Sequence, residues 1–119
     1  MAKKTKEEKS STKEESTKEE KSSTKEEKHI IIFVEWEGFT KEIYEEIRKQ
    51  VNWEGDVPKG IVIHLAAFDK KGIRITDIWE SEEDFNNFIQ NRIIPAATKL
   101  VDTKPKVEIY PLHALFIPK

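Results

Sequence analysis

Three of the four strand-like runs in this chain are apolar on both faces, and that feature constrains the fold most. HIIIFVEW (29–36), IVIHLAAF (61–68) and VEIYPLHALFI (107–117) carry apolar side chains at odd and even positions alike. IRITDIWE (73–80) is the remaining run, and DKKG (69–72) joins it to IVIHLAAF as a hairpin. Between the first two runs, Thr40 is placed as an N-cap, and Ile43, Tyr44, Ile47 and Val51 recur at helical spacing. Glu42, Glu45 and Glu46 precede Arg48 and Lys49, the order that a helix dipole favours. NWEGDVPKG (52–60) is a loop, with two glycines and a proline. After the hairpin, Ser81 with Asp84 caps a second helix that carries Phe85, Phe88, Ile89 and Ile93 on one stripe. Pro95 ends or kinks that helix, and Pro111 implies an edge position, a bulge or a break in the last strand.

The order is β-α-β-β-α-β. That pattern builds an α+β, ferredoxin-like domain: a four-stranded antiparallel sheet with two helices on one face. The helices leave the other face bare, although the strands are apolar there too. In so short a chain a second copy is the simplest cover, so a homodimer with facing sheets is expected.

Residues 1–28 are a different kind of sequence. TKEE recurs at 5–8, 12–15, 17–20 and 24–27, and nothing apolar follows Met1 and Ala2. Such a segment cannot offset its ordering entropy by burying surface, so a disordered tail is expected at 1–28 and one folded domain at 29–119. The tail's nine lysines nearly balance its eight glutamates. Of the chain's 21 Lys/Arg and 23 Asp/Glu, 12 and 15 fall in residues 29–119. Neither part has the uncompensated positive charge that nucleic acid or an acidic membrane would ask for. There is no cysteine, hence no disulfide, thiol nucleophile or thiolate metal site. No apolar run approaches the roughly 20 residues that cross a bilayer. No apolar h-region opens the chain, so a cytoplasmic protein is expected.

His64 is the outlier within IVIHLAAF. Alternation puts it on one face with Val62, Ala66 and Phe68, and puts Ile61 on the other. A shielded neutral imidazole needs a partner for its N–H and offers its second nitrogen as a base or acceptor. Three readings stay open: a hydrogen-bonded core histidine, a pocket-lining residue, or a general base. Asp77 shares a face with Ile73, Ile75 and Trp79. An acid inside a strand is costly unless paired, which suits it to orienting a histidine or receiving an arginine. His64 and Asp77 are therefore the candidate catalytic residues.

Tyr44, Trp79, His113 and Trp36 are the candidate ligand-binding residues, with Trp53 adding aromatic surface near them. His113 is placed in the last strand beside Val107, Ile109 and Leu115. The set suits a hydrophobic pocket with a few polar handles, and it equally suits a core. The three histidines lack helical i,i+4 pairing, so no metal is expected. No glycine-rich turn between strand and helix points to a nucleotide, so no cofactor is expected either.

FTKEIYEEIRK, TDIWESEEDFNNFI and VEIYPLHALF together resemble the dimeric α/β-barrel superfamily of ferredoxin-like proteins. Within it, they are most similar to the antibiotic-biosynthesis-monooxygenase-like proteins and their small bacterial relatives. The local mark is Trp79-Glu80-Ser81 running into a helix with Phe85. The resemblance implies a dimer, a tryptophan lining a cleft, and a small hydrophobic or aromatic ligand. The superfamily spans oxygenases, haem-degrading enzymes, isomerases, cyclases and stress proteins, so fold does not choose the activity. RIIPAATKL lacks the histidine that holds haem in some members, and HIIIFVEW lacks the asparagine that many oxygenases place there. The resemblance thus leaves three functions: a cofactor-free oxygenase-like or cyclase/isomerase-like enzyme acting on an aromatic or polyketide-like compound, a non-catalytic or stress-associated binder, or a purely structural dimer. A cavity of about 300 Å³ or more beside His64 would separate the first two from the third.

Overall fold

The computed structural model describes residues 29–119. The disordered tail expected at 1–28 lies outside the described residues. The elements are β1 (Ile30–Glu37), α1 (Lys41–Val51), β2 (Ile61–Phe68), β3 (Gly72–Trp79), α2 (Glu82–Phe88), a π turn (Ile89–Ile93), α3 (Ile94–Ala97) and β4 (Lys106–Pro111). The strands form one sheet in the order β2-β3-β1-β4, with every neighbouring pair antiparallel.

Local chemistry sets the helix ends where the sequence places them. The Thr40 hydroxyl accepts from the Ile43 N–H at 3.2 Å, and Asn52 closes α1 in the left-handed region at φ 57°. The Ser81 hydroxyl accepts from the Asp84 N–H at 3.0 Å and starts α2. Pro95 does not end the helical run, which continues through it to Ala97. The chain widens into a π turn over Ile89–Ile93, and the proline enters the first turn of α3. A proline ring clashes with the carbonyl four residues back and brings no N–H, and the wider turn relieves both problems.

Register sorts the side chains into two faces. Ile32 pairs with Asp77, Val34 with Ile75 and Trp36 with Ile73, all on the helix side. His64, Ala66 and Phe68 join that side from β2. A bulge between Ile61 and Ile63 breaks the alternation there. Ile61 therefore faces the helices with His64, not away from it as strict alternation predicts. The core forms between this face and the helices, around Trp79, Ile32, Ile47 and Ile73, all fully buried.

β4 is shorter than the run 107–117 suggests. It stops at Pro111, the Leu112 N–H adds one bond to the His29 carbonyl, and residues 113–119 take no regular structure. Pro111 lacks the N–H that would carry the ladder on. On the outer face, Phe33, Leu65 and Tyr110 are exposed. Among the described residues no helix is long and apolar enough to cross a membrane.

Candidate active site

Three neighbouring elements bring Trp79, Asp77, His64 and Tyr44 into one hydrogen-bonded line. β3 supplies Asp77 and Trp79 two residues apart, hence on one face. β2 sets His64 directly across from Asp77, and α1 lays Tyr44 over the pair. The Trp79 indole N–H donates to one carboxylate oxygen of Asp77 at 3.0 Å. The other oxygen meets His64 Nδ1 at 2.7 Å, and His64 Nε2 meets the Tyr44 hydroxyl at 2.9 Å.

This line has a direction. An ionised carboxylate only accepts, so Nδ1 carries the proton toward Asp77, and in the neutral ring Nε2 is left as a lone pair. The Tyr44 hydroxyl then donates to Nε2 and keeps its own lone pairs for another donor. Asp77 is buried, with both oxygens satisfied, which answers the cost of an acid inside a strand. The His64 side chain keeps 22% of its exposure and the Asp77 side chain 8%, so the ring is reachable where the acid is not.

Burial pushes the Tyr44 phenol above its ordinary value of 10.0, with Arg48 opposing and Glu45, Glu54 and Asp77 adding to it. The folded state thus holds that proton more tightly than the unfolded chain. Its contribution to stability is complete below about pH 10 and is lost as pH rises through the folded value. In urea titrations between pH 8 and 11, Tyr44→Phe should lose less stability with rising pH than the wild type. Parallel curves for the two would rule this coupling out.

A cavity of about 60 Å³ runs between sheet and helices beside this line. Trp36, Tyr44, His64 and Asp77 lie on its wall, together with Trp53, Ile61, Phe85 and Ile89. No lysine or arginine lines it, so it holds no standing positive charge to draw in a ligand that is already an anion. Its volume is well short of the roughly 300 Å³ set as the mark of a ligand pocket. In this conformation the site is nearly filled by its own side chains, so the cavity does not separate a ligand site from a purely structural dimer.

Two candidate residues stand elsewhere. Trp79 does not line the cavity, contrary to the role the resemblance implied. It is completely buried behind Asp77, packed on Phe85 and Phe88 at ring distances of 5.7 and 5.5 Å, and it holds the acid through its N–H. His113 is exposed beyond the end of β4 and is not brought to the site, because Pro111 has already ended the strand. Trp36 does reach the wall, with its indole N–H tied to the Thr103 carbonyl at 3.0 Å. Trp53, the aromatic surface that the sequence adds to the candidate pocket, does line it. Its ring stands edge-on to His64 and Tyr44, at 5.4 and 5.6 Å. No periodicity marks a tryptophan in a loop. Among the described residues no group of three or more His, Asp or Glu side chains could hold a metal ion.

No protein-family model matches the chain, and no curated protein matches it. Solved structures do. NE2512 of Nitrosomonas europaea, a protein of unknown function, aligns over 79% of this chain and 98% of its own, at 17% identity and a TM-score of 0.59. SnoaB of Streptomyces nogalater, a cofactor-independent oxygenase, aligns over 77% and 99%, at 11% identity and a TM-score of 0.54. A Deinococcus radiodurans protein, provisionally described as an antibiotic biosynthesis monooxygenase, aligns over 76% and 98%, at 15% identity and a TM-score of 0.50. At these identities the likeness is one of fold. The domain has the ferredoxin-like α+β architecture of the antibiotic-biosynthesis-monooxygenase-like proteins.

Proposed function

We propose that this domain takes up a small, neutral aromatic or enolic compound beside Tyr44 and removes a proton from it. The Asp77–His64–Tyr44 line carries this reading. A ligand hydroxyl donates to a free lone pair of the Tyr44 oxygen, and Tyr44 passes its own proton to His64 Nε2. The products are a ligand anion and an imidazolium that Asp77 stabilises at 2.7 Å. The apolar wall favours a ligand that arrives uncharged.

Such an anion suits more than one reaction. A phenolate or enolate is electron-rich enough to meet dioxygen without a cofactor, and SnoaB, which shares the fold, is a cofactor-independent oxygenase. Cyclisation and isomerisation start with the same proton removal. The small cavity favours a second reading, in which the domain is a structural one and His64 a packed, hydrogen-bonded histidine.

The test is a titration of the full chain with a nitrophenol whose phenolate absorbs in the visible, buffered below that phenol's own pKa. The expected result is a phenolate band that grows with protein and saturates. Binding without the band would support the non-catalytic binder. No binding would leave a structural domain with a packed histidine.

The assembly belongs to the same proposal. A second copy covers the outer sheet face, where Phe33, Leu65 and Tyr110 would otherwise remain in water. Light scattering should give twice the 13.9 kDa chain mass, and Leu65→Glu should return the monomer. A wild type that is already monomeric would remove the dimer from the proposal.

A further inference from the structure

We propose that Trp53 is the movable wall of this cavity and sets the size of ligand that reaches Tyr44 and His64. The inference rests on the proton-relay reading of the same site. It begins with volume. About 60 Å³ is less than half of the roughly 150 Å³ apolar cavity known to admit benzene, so some wall must move before a ring enters.

The walls beside the relay differ in what holds them. Tyr44, Ile61, His64, Asp77 and Phe85 stand on helices or strands of the packed layers. Trp53 stands on the loop 52–60, half-buried, with its ring across the Tyr44–His64 hydrogen bond. The other two tryptophans are pinned by their indole N–H groups, Trp36 to the Thr103 carbonyl and Trp79 to Asp77. The Trp53 N–H has no hydrogen-bond partner among the described residues. Turning this ring outward therefore breaks aromatic contacts and no hydrogen bond, whereas moving either of the others breaks one.

The loop around Trp53 is anchored on both sides, so the side chain moves more readily than the backbone. Arg92 donates to the Val51 carbonyl at 3.0 Å and to the Asp56 carbonyl at 2.8 Å, bracketing residue 53. Arg48 grips the Glu54 carboxylate with two bonds of 2.8 and 2.7 Å. A ring hinged on a fixed backbone opens a slot of set width. Once a ligand is in place, the same indole can close on it edge-on and offer its free N–H to an oxygen of the ligand.

The test uses the full chain and separates movement from chemistry. With 5-fluorotryptophan incorporated, ¹⁹F relaxation should show exchange at Trp53 and none at Trp36 or Trp79. Benzene and naphthalene, which have no proton to give, are titrated beside 4-nitrophenol and 4-nitro-1-naphthol by ligand-observed NMR, with the phenolate band read in the visible. Trp53→Ala should improve two-ring over one-ring binding by about tenfold, with Trp53→Phe between it and the wild type. Circular dichroism confirms that both variants stay folded.

Suppose the preference shifts but no phenol is deprotonated. The gate then stands and the proton relay falls. Suppose a phenol is deprotonated while Trp53 is as rigid as Trp36 and Trp53→Ala leaves the size preference unchanged. The relay then stands and the gate is overturned. If no probe binds and Trp53 is rigid, both fall.

Discussion

Asp77→Ala is expected to lower the stability of the domain by about 3 kcal/mol, whereas Asp77→Asn should cost under about 1 kcal/mol. The contrast follows from who donates to whom. The alanine leaves the indole N–H of a completely buried Trp79 with no acceptor and removes the partner of His64 Nδ1. Asparagine keeps both bonds by reversing one. Its carbonyl accepts from Trp79, and its amide donates to Nδ1. In a domain of this size, about 3 kcal/mol corresponds to a fall of roughly 12–24 °C in Tm, within easy reach of calorimetry. Equal losses for both variants would mean that the carboxylate charge matters more than the hydrogen bonds.

The reversed bond has a second consequence. Once Nδ1 accepts, the neutral ring carries its proton on Nε2, which then points an N–H at the Tyr44 oxygen. The ring is no longer a base toward the ligand. Asp77→Asn should therefore be folded and unable to deprotonate a bound phenol, a combination that a merely structural acid would not produce.

The other large effect is on His64. His64→Gln should cut any turnover that begins with proton removal by about 10²–10⁴-fold, the usual contribution of a positioned general base. Glutamine keeps a polar group near Tyr44 and Asp77 and the domain folded, but it cannot hold a proton at neutral pH. Because the ring is partly exposed, the loss of its packing costs less than the loss of a core residue would. An activity unchanged in His64→Gln would remove the histidine from the mechanism and return it to the core.

Much of this was legible before any coordinates, because local physics writes itself into short stretches. Thr40 and Ser81 cap helices where their spacing places them, since a cap needs only a hydroxyl and an N–H three residues on. Asp77 and Trp79 share a face because two residues of strand return the side chain to the same side. That an intrastrand acid needs a partner was readable, since an unpaired carboxylate there would be too costly, but the residues left histidine and arginine both open.

What the chain could not announce depends on distance and on exceptions to period. The bulge beside Ile61 turns that residue toward His64, and alternation alone has no term for an extra residue. Pro111 left three outcomes open, and the end of the ladder was chosen by pairing with β1, which leaves His113 outside the site. Trp79 took the core place that is a tryptophan's default, and Trp53 the pocket wall. The same residue type is a buried donor to Asp77 in one case and an unpinned wall in the other, decided by how deeply each backbone sits. The sequence by itself determined the order of elements, their caps and the faces of β1 and β3, all functions of neighbours a few residues apart. Only the tertiary structure decided that Tyr44, His64 and Asp77 stand in one line and that little empty space adjoins them, because those facts arise from the packing of helix against sheet across 20 and 13 residues of chain.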